Sequence, residues 1–352
     1  MDIFERLARK LDELPQGFPR TESGVELKIL RIIFAEDDAA MALQLTPVPE
    51  TAEEIAARLG LPVDETRGRL DVMAKKGQIA SVKLGGRQVY RLLPFVIGIY
   101  EMQRQNRLTH ELAHLFEEYL PILCQVEGGH PPHVARVIPV QGSVHPGLKL
   151  LPHEDVRQIM QQAKSFRVQD CICRREQDLL GHRCRHPLRT CLHYSMEEGA
   201  FDYFNPDGDI ITKEDALKIM AAAEREGLVH TAHNIKDVPV GFLCNCCSCC
   251  CGLIRSLKEY HAPYVLARSN YMARIDPDNC QACGTCKDER CPMEAIEEAE
   301  GVYQVINHRC IGCGVCVITC PGEAIALVGR PEPDRDPIAE NMQDWGKKRL
   351  ES

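Results

Sequence analysis

The chain opens with apolar residues spaced as on one face of a helix. Phe4, Leu7, Leu11 and Leu14 recur every three or four positions, with charged residues between them. This spacing predicts a short amphipathic helix whose apolar stripe packs against the protein rather than a membrane. No stretch of the sequence approaches the roughly 18 apolar residues that a membrane-spanning helix requires.

Residues 20–93 carry the pattern helix, helix, helix, hairpin. An apolar helix is predicted over Val25–Phe34, and the capping box Thr51-Ala52-Glu53-Glu54 opens a second helix. A third helix is expected to end near Gly77. Two strand-like segments follow, joined by Gly85-Gly86, which is a signal for a two-residue hairpin turn.

This order is similar to that of a winged helix-turn-helix domain, which we predict for residues 1–95. DNA binding is one role of such a domain, but contact with phosphates requires a basic face. Residues 20–95 hold eleven Lys or Arg against eleven Asp or Glu, and the third helix opens with Asp64 and Glu65. A role in packing or protein interaction is therefore favoured, with DNA binding as the alternative.

The rest of the chain divides by composition. Residues 96–165 are expected to form a helical connecting region, and residues 166–265 a mainly helical, cysteine-rich domain. A second cysteine-rich segment follows at 266–328. The polar tail, residues 329–352, contains the only tryptophan, Trp345, and is expected to be extended or to dock on a partner. The predicted fold class is multidomain α+β.

The cysteine content narrows the class of protein. Nineteen of the 352 residues are cysteine, far above ordinary usage. The first residues lack the apolar core of a signal peptide, so we expect metal binding in a reducing cytoplasm rather than a secreted disulfide scaffold. The net charge of −9 is not typical of a nucleic-acid-binding protein.

Two cysteine ladders in the segment 266–328 form the most specific motif of the chain. In each, three cysteines lie two residues apart and a fourth precedes a proline. The members are Cys280, Cys283, Cys286 and Cys291 in the first ladder, and Cys310, Cys313, Cys316 and Cys320 in the second. This pattern resembles the bacterial-type ferredoxin with two [4Fe–4S] clusters.

The resemblance implies a ferredoxin-like domain of βαβ repeats over residues 266–328, and a crossed set of cluster ligands. One cluster would be held by Cys280, Cys283, Cys286 and Cys320, and the other by Cys310, Cys313, Cys316 and Cys291. A pair of zinc-ribbon-like sites is the alternative, but zinc usually takes separated C-x2-C pairs. The first ladder has one more residue before its fourth cysteine than the second, which is expected to loosen the turn there.

The middle region holds two further groups of cysteines. The first group is Cys171, Cys173, Cys184 and Cys191, with several arginines and histidines around it. Positive charge lowers the pKa of a thiol and favours the thiolate that binds metals. A third iron–sulfur cluster is the favoured interpretation, and a structural zinc site or an unligated thiol cluster remains open.

The second group contains six thiols in eight residues, Cys244, Cys246, Cys247, Cys249, Cys250 and Cys251. One rigid segment cannot aim six thiols at a single four-ligand cluster, so some are expected to join the first group. The ten thiols suffice for two more clusters with two to spare. The region loosely resembles cysteine-rich segments that precede dicluster ferredoxin domains in anaerobic iron–sulfur oxidoreductase subunits.

The favoured function is a cytoplasmic iron–sulfur electron-transfer protein, or the electron-carrying subunit of an anaerobic oxidoreductase complex with redox partner proteins. A redox-sensing transcription regulator that uses the winged helix is one alternative. An enzyme with a catalytic cluster in the middle region is another, in which Arg174, Arg175 and His182 position an anionic substrate. The H-E-x-x-H motif at residues 110–114 is interpreted as a solvated helix face, and Cys124 as a core residue.

Overall fold

The structure is a computed structural model that describes residues 2–103, 107–203 and 209–352. The α-helices in these ranges are α1 (Ile3–Asp12), α2 (Val25–Ile33), α3 (Glu36–Ala42), α4 (Ala52–Leu59), α5 (Val63–Lys75), α6 (His110–Glu127), α7 (Val156–Gln162), α8 (Ile172–Leu179), α9 (Lys213–Arg225), α10 (Gly252–Lys258) and α11 (Met342–Glu351). Among the described residues, no helix combines the length and apolarity needed to cross a bilayer.

The strands in the same ranges are β1 (Ala80–Leu84), β2 (Arg87–Arg91), β3 (Ala135–Ile138), β4 (Ser165–Asp170), β5 (Arg189–Ser195), β6 (Ile210–Ile211), β7 (Val229–His233), β8 (Val240–Cys246), β9 (Leu266–Ala267), β10 (Tyr271–Ile275), β11 (Ile296–Ala299), β12 (Val302–Val305) and β13 (Ile325–Gly329). They form one seven-stranded sheet and three two-stranded sheets.

The N-terminal elements form where the sequence predicts them. Helix α1 buries its apolar stripe, with Leu7 and Leu11 fully inaccessible to solvent. Helix α4 begins at the predicted capping box, in which the Thr51 hydroxyl accepts from the Glu54 N–H and the Glu54 carboxylate accepts from the Thr51 N–H. An additional helix, α3, lies between the first two predicted helices.

The β1–β2 hairpin is bound to the middle of the chain at its tip. The N–H groups of Gly85 and Gly86 donate to the two carboxylate oxygens of Glu197, at 2.7 and 2.8 Å. Nearby, the Lys83 Nζ donates to the Glu198 carbonyl at 3.3 Å. Hydrogen bonds from backbone N–H groups to a carboxylate are among the stronger ones, so these contacts fix the hairpin against the sheet.

The middle region is built on a seven-stranded sheet and not on a mainly helical core as the sequence predicts. Its strand order is β6-β4-β5-β8-β7-β3-β9, antiparallel throughout except for the β3–β9 pair. Buried polar residues interrupt the apolar alternation of these strands, including Arg136, His230 and Asn245, each no more than 2% exposed. Because these polar residues face the interior, the sequence does not show the alternation of polar and apolar residues that identifies a strand.

The sequence Asn205-Pro206-Asp207-Gly208-Asp209 also predicts a turn, followed by a helix capped by Thr212. The expected turn at residues 205–209 lies mostly outside the described residues. The helix that should follow it is present, and the Thr212 hydroxyl accepts from the Asp215 N–H at its start. Its N-terminal cap is therefore the one that the sequence predicts.

The tail from Gly329 onwards folds back onto the protein, which corrects the expectation of an extended or partner-docking segment. Trp345 on α11 is only 3% exposed, and its indole N–H donates to the His133 carbonyl at 2.9 Å. Arg349 is 2% exposed and donates to the carbonyls of Pro15, Glu127, His130 and Pro132. The tail thus ties the N-terminal helices to the segment after α6, and its tryptophan is not available for docking.

Burial of His133 next to this tail predicts a loss of stability in mild acid. Its ring is 6% exposed and lies 5.2 Å from the Tyr264 ring, and burial lowers its pKa from 6.5 to about 4. The unfolded chain therefore takes up a proton that the folded chain resists. The stabilisation is present above pH 6.5 and is lost as the pH falls towards 4.

Replacement of His133 by Phe keeps a ring at this position and removes the titration. We expect the decrease in unfolding free energy between pH 7 and pH 5 to be about 2 kcal/mol smaller in His133→Phe than in the wild type. Anaerobic urea unfolding at the two pH values measures this difference. Equal pH dependence in both proteins would contradict the prediction.

Candidate metal centres

The first ferredoxin site lies under the turn between β10 and β11. Four cysteines line one small cavity with Tyr303 and Ile275, and they are Cys280, Cys283, Cys286 and Cys320. The Cys320 sulfur accepts a hydrogen bond from the Ala324 N–H at 3.3 Å. Such N–H···S bonds are one of the ways in which a protein tunes the reduction potential of an iron–sulfur cluster. The four cysteines and this hydrogen bond therefore fit a [4Fe–4S] cluster.

The second ferredoxin site has the same construction. Its cavity is lined by Cys291, Cys310, Cys313 and Cys316. The Cys291 sulfur accepts from the Ala295 N–H at 3.1 Å, four residues on, as Cys320 does from Ala324. Each cavity thus gathers three cysteines of one ladder and the fourth cysteine of the other.

The extra residue in the first ladder is absorbed by a wider helical turn. Residues Cys286–Arg290 form a π-helical turn, closed by a 3.0 Å bond from the Cys291 N–H to the Cys286 carbonyl. The equivalent turn of the second ladder, Val317–Thr319, is a tighter 3₁₀ helix. A π turn accommodates one inserted residue, so both fourth cysteines reach equivalent positions.

The two ferredoxin sites differ in exposure. Cys283 of the first site is exposed, whereas Cys310, Cys313 and Cys316 of the second are all buried. The Cys313 carbonyl also accepts from the Val140 N–H at 2.9 Å, which joins the second ladder to the end of β3. The first site therefore faces solvent, and the second lies against the sheet of the middle region.

The ten cysteines of the middle region divide into two groups that the sequence does not reveal. Cys184, Cys247, Cys249 and Cys250 gather in what we call the four-thiol group, and their sulfur atoms all lie within 4.8 Å of one another. The remaining six line a single cavity, the six-thiol cavity, which Cys124 and Cys250 also border; the six are Cys171, Cys173, Cys191, Cys244, Cys246 and Cys251. The predicted set of Cys171, Cys173, Cys184 and Cys191 is thus divided, with Cys184 in a different group from the other three.

The sheet explains this division. Strand β8 pairs with β5, which places Cys244 and Cys246 beside Cys191. Cysteines at i and i+2 on a strand point to the same face, so both β8 thiols reach the cavity. Cys171 precedes α8 and Cys251 precedes α10, and each residue caps the helix that follows it.

The six-thiol cavity is much larger than either ferredoxin cavity. Its volume is about 910 Å³, including space open to solvent, against about 340 and 350 Å³ for the other two on the same measure. Apolar side chains form much of the rest of its wall, and α6 contributes Phe116, Leu120 and Leu123. A largely apolar cavity lined with several thiols fits a buried polynuclear cluster.

Three carboxyl groups also line this cavity, and sequence reasoning did not find them. Burial raises the pKa of Glu101 to about 7, and it raises the pKa of both Glu127 and Glu176 well above the ordinary value. The Tyr100 hydroxyl donates to Glu176 at 2.7 Å. A glutamate on an amphipathic helix usually faces solvent, so no sequence signal separates these residues from others.

Hydrogen bonds between the thiols of the cavity change their pKa values. Hydrogen bonds from Cys244 and Cys251 lower the pKa of Cys246 to about 5. A metal ligand must be deprotonated, so Cys246 is the thiol best prepared for ligation. Its sulfur also lies 3.5 Å from the Thr231 hydroxyl of the neighbouring strand β7.

Arg174 is not available for an anionic substrate. It is 2% exposed and donates to the carbonyls of Pro187 and Asn245 and to the Thr190 hydroxyl. Its role is to hold the segment before β5 against the end of β8. Arg175 and His182, the other two residues considered for substrate binding, are exposed.

Apolar contact connects the second ferredoxin site with the six-thiol cavity. Cys313 belongs to the same buried apolar cluster as Cys246 and Cys251, together with Val137 and Ile254. Residues of one buried apolar cluster therefore link the two sites. Cys124, expected to be a core residue, is buried, while His110 and His114 are exposed at the start of α6.

A comparison with protein families identifies the C-terminal part. Residues 272–321 match the 4Fe-4S dicluster domain, in agreement with the resemblance that the ladders carry. The C-terminal part of the chain is a 4Fe–4S dicluster ferredoxin domain. No solved structure shows a significant match to the chain.

Several curated proteins are similar to part of the chain. An uncharacterized ferredoxin of Methanocaldococcus jannaschii is 32% identical over 94 residues, which is 26% of this chain and 54% of that protein. The electron transport protein HydN of Escherichia coli is 34% identical over 70 residues, 19% of this chain and 40% of HydN. The dihydromethanopterin reductase (acceptor) of Methanosarcina mazei is 47% identical over 53 residues, 14% of this chain and 22% of the enzyme. The chain spans about half the length or less of these relatives.

Proposed function

We propose that this protein is an iron–sulfur electron carrier with three cluster sites in a row, acting with redox partner proteins or within an oxidoreductase complex. The two ferredoxin sites would each hold a [4Fe–4S] cluster, and the six-thiol cavity a further cluster. Bound clusters of this kind supply reversible one-electron transfer. The observation that carries the proposal is the buried apolar cluster that Cys313 shares with Cys246 and Cys251.

The order of the sites from solvent to interior supports this function. The first ferredoxin site contains the exposed Cys283. In the second site, Cys310, Cys313 and Cys316 are buried. The apolar cluster links that second site to the six-thiol cavity, whose wall α6 helps to form. Exchange with a partner requires an exposed site, and protection from side reactions requires a buried one, so this arrangement meets both needs.

The protein's own contribution is to hold and shield each site. Backbone N–H groups of Ala295 and Ala324 donate to the sulfurs of Cys291 and Cys320 and partly neutralise negative charge there. Around the six-thiol cavity, protonation of carboxyl groups that resist ionisation, such as Glu127, avoids an uncompensated buried charge.

Regulation of transcription through the N-terminal region is less well supported. The hairpin tip, which would have to be free to contact DNA, is bound to Glu197. On α5, Arg67 pairs with Glu53, and Arg69 donates to the Asp37 carbonyl. Both arginines of this helix thus already have partners, which favours a packing role for residues 1–95.

The iron content of three proteins tests the proposal. After anaerobic purification we expect about twelve irons and twelve acid-labile sulfides per wild-type chain, from three clusters of four. Cys191→Ser should remove about four of each, since Cys191 lines only the six-thiol cavity, and should leave the EPR signals of the ferredoxin clusters. Cys124→Ser, at a thiol of α6 that borders the same cavity but belongs to neither group, is the matched control and should keep all twelve.

Reduction with dithionite followed by EPR completes the test. A third signal in the wild type that Cys191→Ser lacks supports the proposed series of sites. Eight irons in the wild type, with no change in Cys191→Ser, would show that the protein holds only the two ferredoxin clusters and would contradict the proposed third cluster. Failure of the wild type to accept electrons at all would overturn the proposed function.

A further inference from the structure

The four-thiol group has the dimensions of a site for one metal ion. Cys184 Sγ lies 3.8 Å from Cys247 Sγ and 3.7 Å from Cys249 Sγ, and the Cys249 and Cys250 sulfurs are 3.6 Å apart. All four sulfurs fall within 4.8 Å of one another. This is close packing for groups that would repel one another as bare thiolates.

Tetrahedral geometry accounts for these distances. Four thiolates bound to one zinc ion at a Zn–S distance of about 2.3 Å have their sulfurs about 3.8 Å apart. In a [4Fe–4S] cubane each thiolate binds a different iron, so the sulfurs must lie farther apart, at roughly 6 Å. The observed separations match the first arrangement and are too short for the second.

The other thiols of the chain provide an internal comparison. In the part of the chain that the structure describes, the four-thiol group is the only cluster of three or more potential ligands that lies within 4.8 Å. The ferredoxin quartets surround cavities instead, and so do the six thiols next to β8. The same structure thus holds open sites for clusters and one closed site.

We propose that Cys184, Cys247, Cys249 and Cys250 bind a single tetrahedral metal ion, with zinc as the expected occupant, in a site separate from all iron–sulfur clusters. Four thiolates with no open position are typical of a structural zinc site. Tetrahedral tetrathiolate coordination also suits one iron ion, and the experiment separates the two metals.

The position of the group indicates what the ion would hold together. Cys184 lies between α8 and β5, and its neighbours Arg183 and Arg185 are exposed. The other three ligands lie in the turn between β8 and α10. Cys247 and Cys250 pack on Ala223 and Leu228, while Cys249 is exposed to solvent.

An ion at this position would therefore fasten a polar surface segment to the turn that carries the cavity ligands. Cys246 directly precedes Cys247, and Cys251 directly follows Cys250, so both cavity thiols are next to ligands of the ion. Cys250 itself also borders the six-thiol cavity. The ion would fix the spacing of Cys246 and Cys251 without being part of the redox site.

Metal analysis of the full-length protein tests this assignment. Inductively coupled plasma spectrometry of the anaerobically purified wild type should give one zinc per chain in addition to the iron. Cys249→Ser should lose that zinc and keep its iron and sulfide, because this exposed thiol lies away from the six-thiol cavity. Cys191→Ser should do the reverse, losing iron and sulfide and keeping zinc.

X-ray absorption at the zinc edge of the wild type provides a readout that does not depend on any variant folding. Four sulfur neighbours at about 2.3 Å would support the site, and nitrogen or oxygen neighbours would overturn it. Loss of one iron without sulfide in Cys249→Ser would support a single-ion site and identify iron as the metal. Loss of about four irons with four sulfides would show a cubane and overturn the proposal.

The zinc site and the electron carrier can fail separately. Absence of a cluster in the six-thiol cavity would appear as eight irons with the zinc unchanged. A missing zinc with twelve irons present would leave the proposed function in place and remove only this inference.

Discussion

Gly312→Ala is expected to remove the cluster of the second ferredoxin site and about four irons per chain. Gly312 lies between Cys310 and Cys313 with a φ of +71°, a conformation that L side chains rarely adopt. A Cβ at this position would meet the Tyr271 carbonyl oxygen and the Ser269 hydroxyl. Neither the backbone of β10 nor a hydroxyl that already donates to the Gly312 carbonyl can move away easily.

The expected cost combines backbone strain with overpacking and amounts to roughly 2–5 kcal/mol of unfolding free energy. Iron analysis, EPR and anaerobic urea unfolding measure the effect. Gly301→Ala is the matched control, since Gly301 has a φ of +81° and open space around it, and it should keep all its iron. Full iron content in Gly312→Ala would show that the ladder can deform, contrary to this prediction.

Arg349→Met is expected to destabilise the protein by about 3–5 kcal/mol. Met retains much of the apolar stem but removes the donors to the carbonyls of Pro15, Glu127, His130 and Pro132. Buried carbonyls left without a donor cost about 1–3 kcal/mol each, and a shift of the backbone can relieve part of that cost. Thermal and urea unfolding of the apoprotein and the loaded protein measure the loss.

Lys348→Met provides the control for Arg349→Met on the same helix. The Lys348 side chain is half exposed, and its ammonium group pairs with Asp344 at 2.7 Å. An exposed pair of this kind contributes at most about 1 kcal/mol. Equal destabilisation by both substitutions would indicate that helix α11 itself, and not the Arg349 contacts, stabilises the fold.

The ferredoxin domain could be predicted because its chemistry is local in sequence. The spacing within each ladder carries the resemblance to dicluster ferredoxins, which implies the crossed ligand sets, and residues 272–321 match a dicluster domain. The extra residue before Cys291 was expected to loosen the turn, yet it forms a closed π turn. Sequence gives the number of inserted residues, but the hydrogen bond that accommodates them depends on the surrounding backbone.

The division of the middle cysteines could not be predicted for the opposite reason. Which thiols meet depends on the pairing of β5 with β8, and that register is set by contacts far apart in the chain. Cys244 and Cys246 point to one face of β8, whereas Cys247 lies beyond the end of the strand, in the turn to α10, so the sequence neighbours Cys246 and Cys247 belong to different groups. The helical prediction for this region hid the strands on which this division depends.

The N-terminal helices and the tail show the same contrast. The capping box at Thr51 and the apolar stripe of α1 are local signals, and both features are present in the structure. The tail was expected to be extended because it is polar, but the contacts that hold Trp345 and Arg349 come from the distant segment 127–133. Local composition cannot report such contacts.

The position of Arg349 in the chain also has a consequence for how the protein is made. Arg349 follows every element that lines the six-thiol cavity, and it holds the carbonyl of Glu127, which is part of the cavity wall. During synthesis, all six thiols therefore leave the ribosome before the residue that secures this wall. The growing chain thus passes through an interval in which all six thiols are present and the Glu127 carbonyl is not yet held by Arg349, so the cavity wall is less constrained then than in the finished protein.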